Sequence, residues 1–344
     1  MAVTIKQISE VSGVSRGTVD RVLNNRGRVN PETERLVRKV AQELGYRPNM
    51  AGKALAAIKK NFTIGVILCS EGNAFFDDVI KGMKEAEKEA SQYGISVVVK
   101  TMKGYDAERQ LELMKELQGR INILILQPIN DAKISVQINA LSQENIAVIT
   151  LNNDIENSSR MCYVGSNYIK SGQTAAGCVG LLSGGKANLG IATGSIKILG
   201  HNQRVFGFNE IRKKRYRGLT ITDIVETGDD DEQGYEQALK MLKQYPQINA
   251  LYIVAAGATG VCRAVHELNR EEGMLIVACD STPAVVRLMK NGTIKAAICQ
   301  QPYKQGYDSI KTAVDYLIHG IRPLKDKLID KNEIKILENL TEEE

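Results

Sequence analysis

Residues Val3–Asn24 read VTIKQISEVSGVSRGTVDRVLN, two short amphipathic segments either side of Ser12-Gly13-Val14. Thr4 followed by Gln7 is a capping-box start, and Ile5, Ile8 and Val11 recur at helical spacing. Gly13 can take the positive φ that ends a helix. Ser15 then caps a second helix, Arg16–Leu23, with Val19 and Val22 facing inward. Asn24-Asn25-Arg26-Gly27 is a loop. Asn30 as cap and Pro31 at the first helical position open a third helix, whose inner face is Leu36, Val37, Val40, Ala41 and Leu44, and Gly45 ends it. Two helices joined by a three-residue glycine-containing turn, with a third in support, predict a helix-turn-helix.

Charge agrees with that reading. Of 344 residues, 45 are Lys or Arg and 40 Asp or Glu, a net +5. Residues 1–60 hold twelve Lys/Arg against five Asp/Glu, so this segment carries +7 and the remaining 284 residues carry −2. A small basic head on a near-neutral body is the electrostatic footprint of a nucleic-acid-binding module. In a helix-turn-helix the second helix enters the major groove and its N-terminal residues reach base edges. Those residues are Arg16, Gly17 and Thr18, with Arg21 one turn on. Arginine can give two hydrogen bonds to guanine O6 and N7, which makes Arg16 and Arg21 the readout candidates. Gly17 offers no side chain and would leave its base pair unread or read by shape.

Val3-Thr4-Ile5-Lys6, Gly13-Val14-Ser15, Thr18-Val19, Arg21-Val22-Leu23-Asn24 and Leu44-Gly45-Tyr46-Arg47-Pro48-Asn49 together resemble the lac repressor (LacI) family of bacterial regulators. The match is near-continuous over about 55 residues. It implies DNA contact by Thr4, Ser15, Arg16, Gly17, Thr18, Arg21, Asn24 and Asn49. Asp20 departs from it, standing where the family usually has serine. The Ala-rich segment Asn49–Ala57, ending in Lys59-Lys60, is too short for a stable isolated helix. It resembles the family's hinge helix, which folds on operator DNA. Leu55 matches the leucine pushed into the minor groove, where an apolar wedge kinks DNA. Gly52 makes that helix depend more on its DNA.

From Phe62 the pattern changes. Short apolar runs alternate with helical ones, from Ile64–Cys69 and helix Asp77–Tyr93 to strand Ala147–Asn152, and again from Leu189–Gly194 and helix Arg204–Lys214, through helix Gln233–Tyr245, to helix Lys304–His319. Such alternation builds parallel sheets covered on both faces, here in two sets of four to six strands. The expected organisation is an N-terminal all-α helix-turn-helix domain (1–48), a hinge helix or linker (49–61), and an α/β body of two Rossmann-like lobes (62–344) that binds an effector and dimerises. Ligands of such sheets bind outside the carboxyl ends of the strands. Those ends carry Glu71–Phe76, Asn152-Asn153-Asp154, His201–Arg204, Asp280-Ser281-Thr282 and Gln300-Gln301.

The body resembles the sugar-binding periplasmic-binding-protein fold, and within it the ribose-binding subgroup, over about 62–320. That resemblance implies that Asn73 bonds a ligand hydroxyl and that Phe75 or Phe76 stacks on the ligand. It also implies that Asp280 and Gln300 accept hydroxyls, and that Asn202 or Arg204 takes the place of a binding arginine. Asn152 and Asn153 stand where the subgroup has an Asp-Arg pair, and Ala255-Ala256-Gly257-Ala258 where it has Asn-Asp, so the pocket is less charged and roomier. Amides and carboxylates suit polyols because each can bridge neighbouring hydroxyls.

Other classes find little support. The longest apolar runs, such as Ala250–Ala256, are far short of the ~20 residues of a membrane span. The chain opens with no signal-like segment, so a cytoplasmic protein without membrane contact is expected. Six separated cysteines and three scattered histidines offer no metal spacing and no catalytic pair, so neither a cofactor nor enzyme activity is expected. Gly180–Ala187 nearly spells a phosphate loop, but Ala187 replaces its Ser/Thr, and a helix precedes where a strand should. Asp229–Glu232 reads as the acidic start of a helix. The combined expectation is a ligand-responsive regulator, a repressor controlled by a sugar-like effector, acting as a homodimer on a pseudo-palindromic operator in double-stranded DNA. A co-repressed regulator, or an activator answering to a non-sugar or phosphorylated ligand, fits the same residues.

Overall fold

A computed structural model describes residues 3–23, 29–46 and 60–341. The head has helices Ile5–Ser12, Arg16–Leu23 and Pro31–Glu43. Thr4 and Gln7 form the reciprocal capping box, Thr4 N–H donating to Gln7 Oε1 at 2.9 Å. Gly13 ends the first helix at φ 68°, and Asn30 Oδ1 caps the third by accepting from Glu32 N–H at 2.8 Å. Ile8, Val19, Val22, Val37, Val40 and Ala41 make a small core. Three expected core positions are not in it. Val11 is 62 % and Leu36 44 % exposed, and Leu44 also lies outside. Leu36 stands about 100° round the helix from Val37, and Val11 and Leu44 sit in the terminal turns, where no neighbouring helix covers them.

The body opens with β1 (Thr63–Leu68), β2 (Ser96–Thr101), β3 (Ile123–Leu126), β4 (Ala147–Asn152) and β5 (Cys162–Ser166). A second set follows, β6 (Lys186–Thr193), β7 (Gly218–Glu226), β8 (Ala250–Ile253), β9 (Leu275–Cys279) and β10 (Ala296–Cys299). The chain then returns to the first sheet as β11 (Lys327–Asp330) and to the second as β12 (Glu333–Lys335). The sheet orders are β11-β5-β4-β3-β1-β2 and β12-β10-β9-β8-β6-β7. Every pairing is parallel except β10 with β12. The protein is thus a helical helix-turn-helix region joined to a two-lobed α/β body with two parallel sheets. The central strands are buried on both faces, Ile123–Leu126 throughout, as helix-covered parallel sheets require.

Helices pack in pairs through glycine. Phe75–Ser91 meets Pro302–His319 at Gly82 and Gly306, where an added Cβ would lie 1.9 Å from the carbonyl oxygens of Tyr303 and Val79 respectively. Tyr168–Leu182 meets Leu199–Arg215 at Gly172 and Gly207, whose Cβ would reach the Arg204 and Ile169 oxygens at 1.9 and 2.1 Å. Asp231–Gln244 and Ala258–Glu267 repeat the device at Gly260. These close approaches need the missing side chain, not an unusual φ.

Several element boundaries differ from expectation. Helix Phe75–Ser91 starts two residues before Asp77, and Leu199–Arg215 starts five before Arg204, which brings His201 into a helical first turn. Strand β5, helix Tyr168–Leu182 and the short returning strands β11 and β12 carry too little periodic signal to be expected. The Gly180–Ala187 segment is a helix end, a turn through Gly184 and Gly185, and then β6, the reverse of a phosphate loop.

Candidate functional site

The chain passes between the lobes near Asn167, near Gln301 and between β11 and β12, all at one edge of the two sheets. Polar side chains tie these crossings together. Gln305 Nε2 donates to Ser166 Oγ (3.3 Å) and Gln300 Oε1 (3.1 Å), Asn332 Nδ2 donates to the Asn167 carbonyl (3.2 Å), and Lys304 pairs with Asp330 (2.9 Å).

Between the lobes, at the carboxyl ends of both sets of strands, lies a cavity of about 420 Å³. Its first-lobe wall includes Asn73, Phe75, Phe76, Asn152 and Asn153, and its second-lobe wall Arg204, Asp280 and Gln300. Phe75 and Phe76 start their helix and meet edge to face at 5.3 Å. Asn73 Oδ1 accepts from Phe75 N–H (3.1 Å), which orients the turn. Asp280 collects three donors: Gln300 N–H at 3.2 Å, Gln300 Nε2 at 3.3 Å and an Arg204 guanidinium nitrogen at 3.3 Å. Arg204 is 2 % exposed; its other terminal nitrogen donates to the Val254 carbonyl at 2.6 Å, and its guanidinium lies 4.8 Å over the Tyr168 ring. Burial opposes its charge, but the Asp280 carboxylate beside it favours that charge, and Arg204 remains a guanidinium.

Asn202 is a correction. It does not line the cavity, because the helix begins at Leu199 and turns its side chain outward, where Nδ2 donates to the Ile196 carbonyl at 2.8 Å. Asn152 and Asn153 line the wall with their amides already committed. Asn153 Nδ2 donates to Asn152 Oδ1 (3.0 Å), Asn152 Nδ2 to Gln305 Oε1 (3.3 Å), and Asn153 Oδ1 accepts from Gly200 N–H across the cleft (3.1 Å).

Tyr105 and Tyr168 carry no motif that singles them out, Asp229 is expected only at an acidic helix start, and His201 only among the polar strand ends. The His201 Nδ1 accepts from Ser195 N–H at 3.0 Å, which assigns the proton to Nε2, and burial holds its pKa below the ordinary value, so it is a neutral donor. Asp230 caps helix Asp231–Gln244 as an acidic start should, whereas Asp229 turns into the cleft and accepts from the Tyr105 hydroxyl. Tyr105 follows β2 as Asn73 follows β1, so the strand-end rule applied to every strand would have found it. Ala255, Ala256 and Gly257 line the second-lobe wall. Among the described residues no cluster of His, Cys, Asp and Glu is fit for a metal ion, and no helix is long and apolar enough to cross a membrane.

In the head, Ser15, Arg16, Gly17 and Arg21 are exposed on the second helix. Ser15 Oγ and Thr18 Oγ1 pair at 3.0 Å, and Arg21 Nε donates to the Gly17 carbonyl at 3.2 Å, so Arg21 is held along its own helix. Thr4 is spent on its cap. Asn24, Asn49 and Leu55 lie outside the described residues.

A helix-turn-helix on a two-lobed body with an interlobe cavity is the architecture of a DNA-binding regulator. A family model for the periplasmic binding protein domain matches residues 64–320, and one for bacterial regulatory proteins of the lacI family matches residues 4–49. The chain is 26 % identical over 289 residues to catabolite control protein A of Priestia megaterium, covering 82 % of this chain and 83 % of that one. It is 26 % identical over 281 residues to the HTH-type transcriptional regulator MalR of Streptococcus pneumoniae, covering 78 % and 82 %. Among solved structures, GanP, a glucose-galactose binding protein from Geobacillus stearothermophilus, superposes with a TM-score of 0.75 at 27 % identity, covering 81 % of this chain and 98 % of that one. The protein belongs to the lacI family of DNA-binding transcriptional regulators, with a periplasmic-binding-protein-like body, and that family is not one of enzymes.

Proposed function

We propose that this chain is a cytoplasmic repressor that binds a pseudo-palindromic operator as a homodimer and is controlled by an uncharged, sugar-like effector in the interlobe cavity. One observation carries the effector class: Asp280, gathering Gln300 and Arg204, faces Phe75 and Phe76 across the cavity. Hydrogen-bonding groups for hydroxyls on one wall and an aromatic pair for the C–H face on the other suit a polyol. The Arg204 charge is spent on Asp280 and Val254, so it has little left for an anion. Asn73, Asn152 and Asn153 complete the proposed ligand shell, and the effector meets the neutral Nε2–H of His201.

A thermal-shift screen of the full chain tests this. A neutral sugar or polyol at 100 times its Kd should add about 2.7 kcal/mol and raise the midpoint by several degrees. Response to sugar acids or phosphates alone would reverse the charge assignment. The hit must then change operator affinity by the same factor by which operator changes its own affinity, because coupling between sites is reciprocal. The sign of that change separates an inducer from a co-repressor.

On the DNA side, the proposed contacts are Ser15, Arg16, Gly17, Thr18 and Arg21, with Thr4, Asn24 and Asn49 at the backbone and Leu55 in the minor groove. Replacing Arg16 with Ala should cost about 1–3 kcal/mol of operator binding and relax preference at one base pair. A gel-shift series over point-substituted operators reads this; uniform weakening on every sequence would make Arg16 a phosphate contact instead.

A further inference from the structure

The three interlobe crossings lie at the β11/β5 and β12/β10 edges of the two sheets, and β2 and β7 form the opposite edges. Five strand spacings separate β11 from β2, roughly 24 Å. Tyr105 follows β2, Asp229 follows β7, and the Tyr105 hydroxyl donates to the Asp229 carboxylate. Lys197 makes two further contacts across the cleft: its side-chain Nζ donates to the Tyr105 carbonyl at 3.3 Å, and its carbonyl accepts at 2.8 Å from the N–H of Asn130, which follows the inner strand β3. Asp229 is braced to receive the phenol. Its other oxygen accepts from Ala256 N–H at 3.2 Å, its own N–H donates to Thr227 Oγ1 at 3.3 Å, and its φ is 58°. Burial first, and the Asp229 carboxylate second, hold the Tyr105 pKa well above its ordinary value, so the hydroxyl keeps its proton.

We propose that Tyr105 and Asp229 latch the cleft at the edge farthest from the hinge, positioning the lobes and setting how long a bound effector stays, with no need for Tyr105 to touch it. The lever arm gives this pair its weight. A rotation of about 10° about the crossings moves an edge roughly 24 Å away by about 4 Å, enough to break a hydrogen bond outright. The same rotation barely stretches Gln305 Nε2 to Gln300 Oε1, the interlobe bond beside the hinge. A hydrogen bond to a charged acceptor is also stronger than a neutral one, so the latch resists opening more than the neutral bond from Asn130 N–H to the Lys197 carbonyl.

Two amides report the cleft directly, because each donates from one lobe to the other: Asn130 N–H to the Lys197 carbonyl, and Gly200 N–H to Asn153 Oδ1. The test is hydrogen exchange on the full chain and its Tyr105→Phe variant, with no effector added. Both amides should exchange about tenfold faster in the variant. Val254 N–H, which bonds Ala192 inside one sheet, should keep its rate. Tyr307→Phe, which removes a hydroxyl donating to Glu89 within one lobe at 2.8 Å, should leave Asn130 and Gly200 unchanged. Unchanged rates in Tyr105→Phe would overturn the latch, as would equal acceleration of Val254 or the same acceleration in Tyr307→Phe. The measurement is independent of the effector's identity, so it can fail while the sugar reading stands, and the reverse.

Discussion

Arg204→Met should lower the thermal midpoint by roughly 10 °C and abolish the effector response. The substitution keeps much of the side-chain volume but strips the half-buried Asp280 of its cationic partner and the Val254 carbonyl of its donor. Breaking a largely buried pair from one side costs about 3–5 kcal/mol, because Asp280, only partly open to the cavity, keeps just its two Gln300 donors. The size of the loss therefore belongs to the stranded carboxylate more than to the arginine. Arg204→Met combined with Asp280→Asn should recover a large share of the lost stability, since neither residue is then charged. Calorimetry on the single and double variants decides the matter: equal destabilisation in both would mean that Arg204 acts through packing on Tyr168 instead. Effector binding should stay lost in both.

Gly306→Ala should destabilise the body by about 3 kcal/mol, read as a drop in the denaturant midpoint. The new methyl would lie 1.9 Å from the Val79 carbonyl oxygen and 2.8 Å from its carbon, both backbone atoms of a packed helix. Only a separation of Phe75–Ser91 from Pro302–His319 can relieve that. Gly177 is the matched control: it too lies within a helix, Tyr168–Leu182, but a Cβ there meets nothing within 4 Å. Gly177→Ala should stabilise by about 0.5–1 kcal/mol through backbone entropy and helix propensity. A gain at both positions would show that the helices have room for the methyl and that only glycine's propensity was being read.

The alternation of apolar runs with amphipathic segments made the two lobes legible, and the caps at Thr4, Asn30 and Gly13 made the head legible almost to the residue. Those signals are local, so a single chain displays them. Strands β11 and β12 escaped because three or four residues on a sheet margin need no sustained apolar pattern. Leu36 looked buried because a helical stripe says which residues could face inward, not how wide the neighbouring helices are. Within the cavity, the polar strand ends stood out, but the partner of each did not. Asn202 and Arg204 are two residues apart, and only the true helix start at Leu199 decides which one turns inward. Asp229 sat in an acidic run with an adequate local explanation, and its bond to Tyr105 spans 124 residues of sequence.

Asn152, Asp229 and Asp280, all on the cavity wall, hold φ values of 61°, 58° and 65°. Most L-residues enter that left-handed region at a cost of roughly 1–2 kcal/mol, which Asn and Asp largely escape through local hydrogen bonding. An alanine scan of this wall would therefore report two losses as one: the missing polar group, and a backbone that no longer favours its bend. Apparent hot spots at these three positions would be inflated relative to Asn73 or Gln300. Exchanging Asp for Asn, or Asn for Asp, keeps the bend and changes only the charge and the donor. At Asn152 such an exchange reports selectivity directly, whereas at Asp280 and Asp229 it also breaks the pairing with Arg204 or Tyr105.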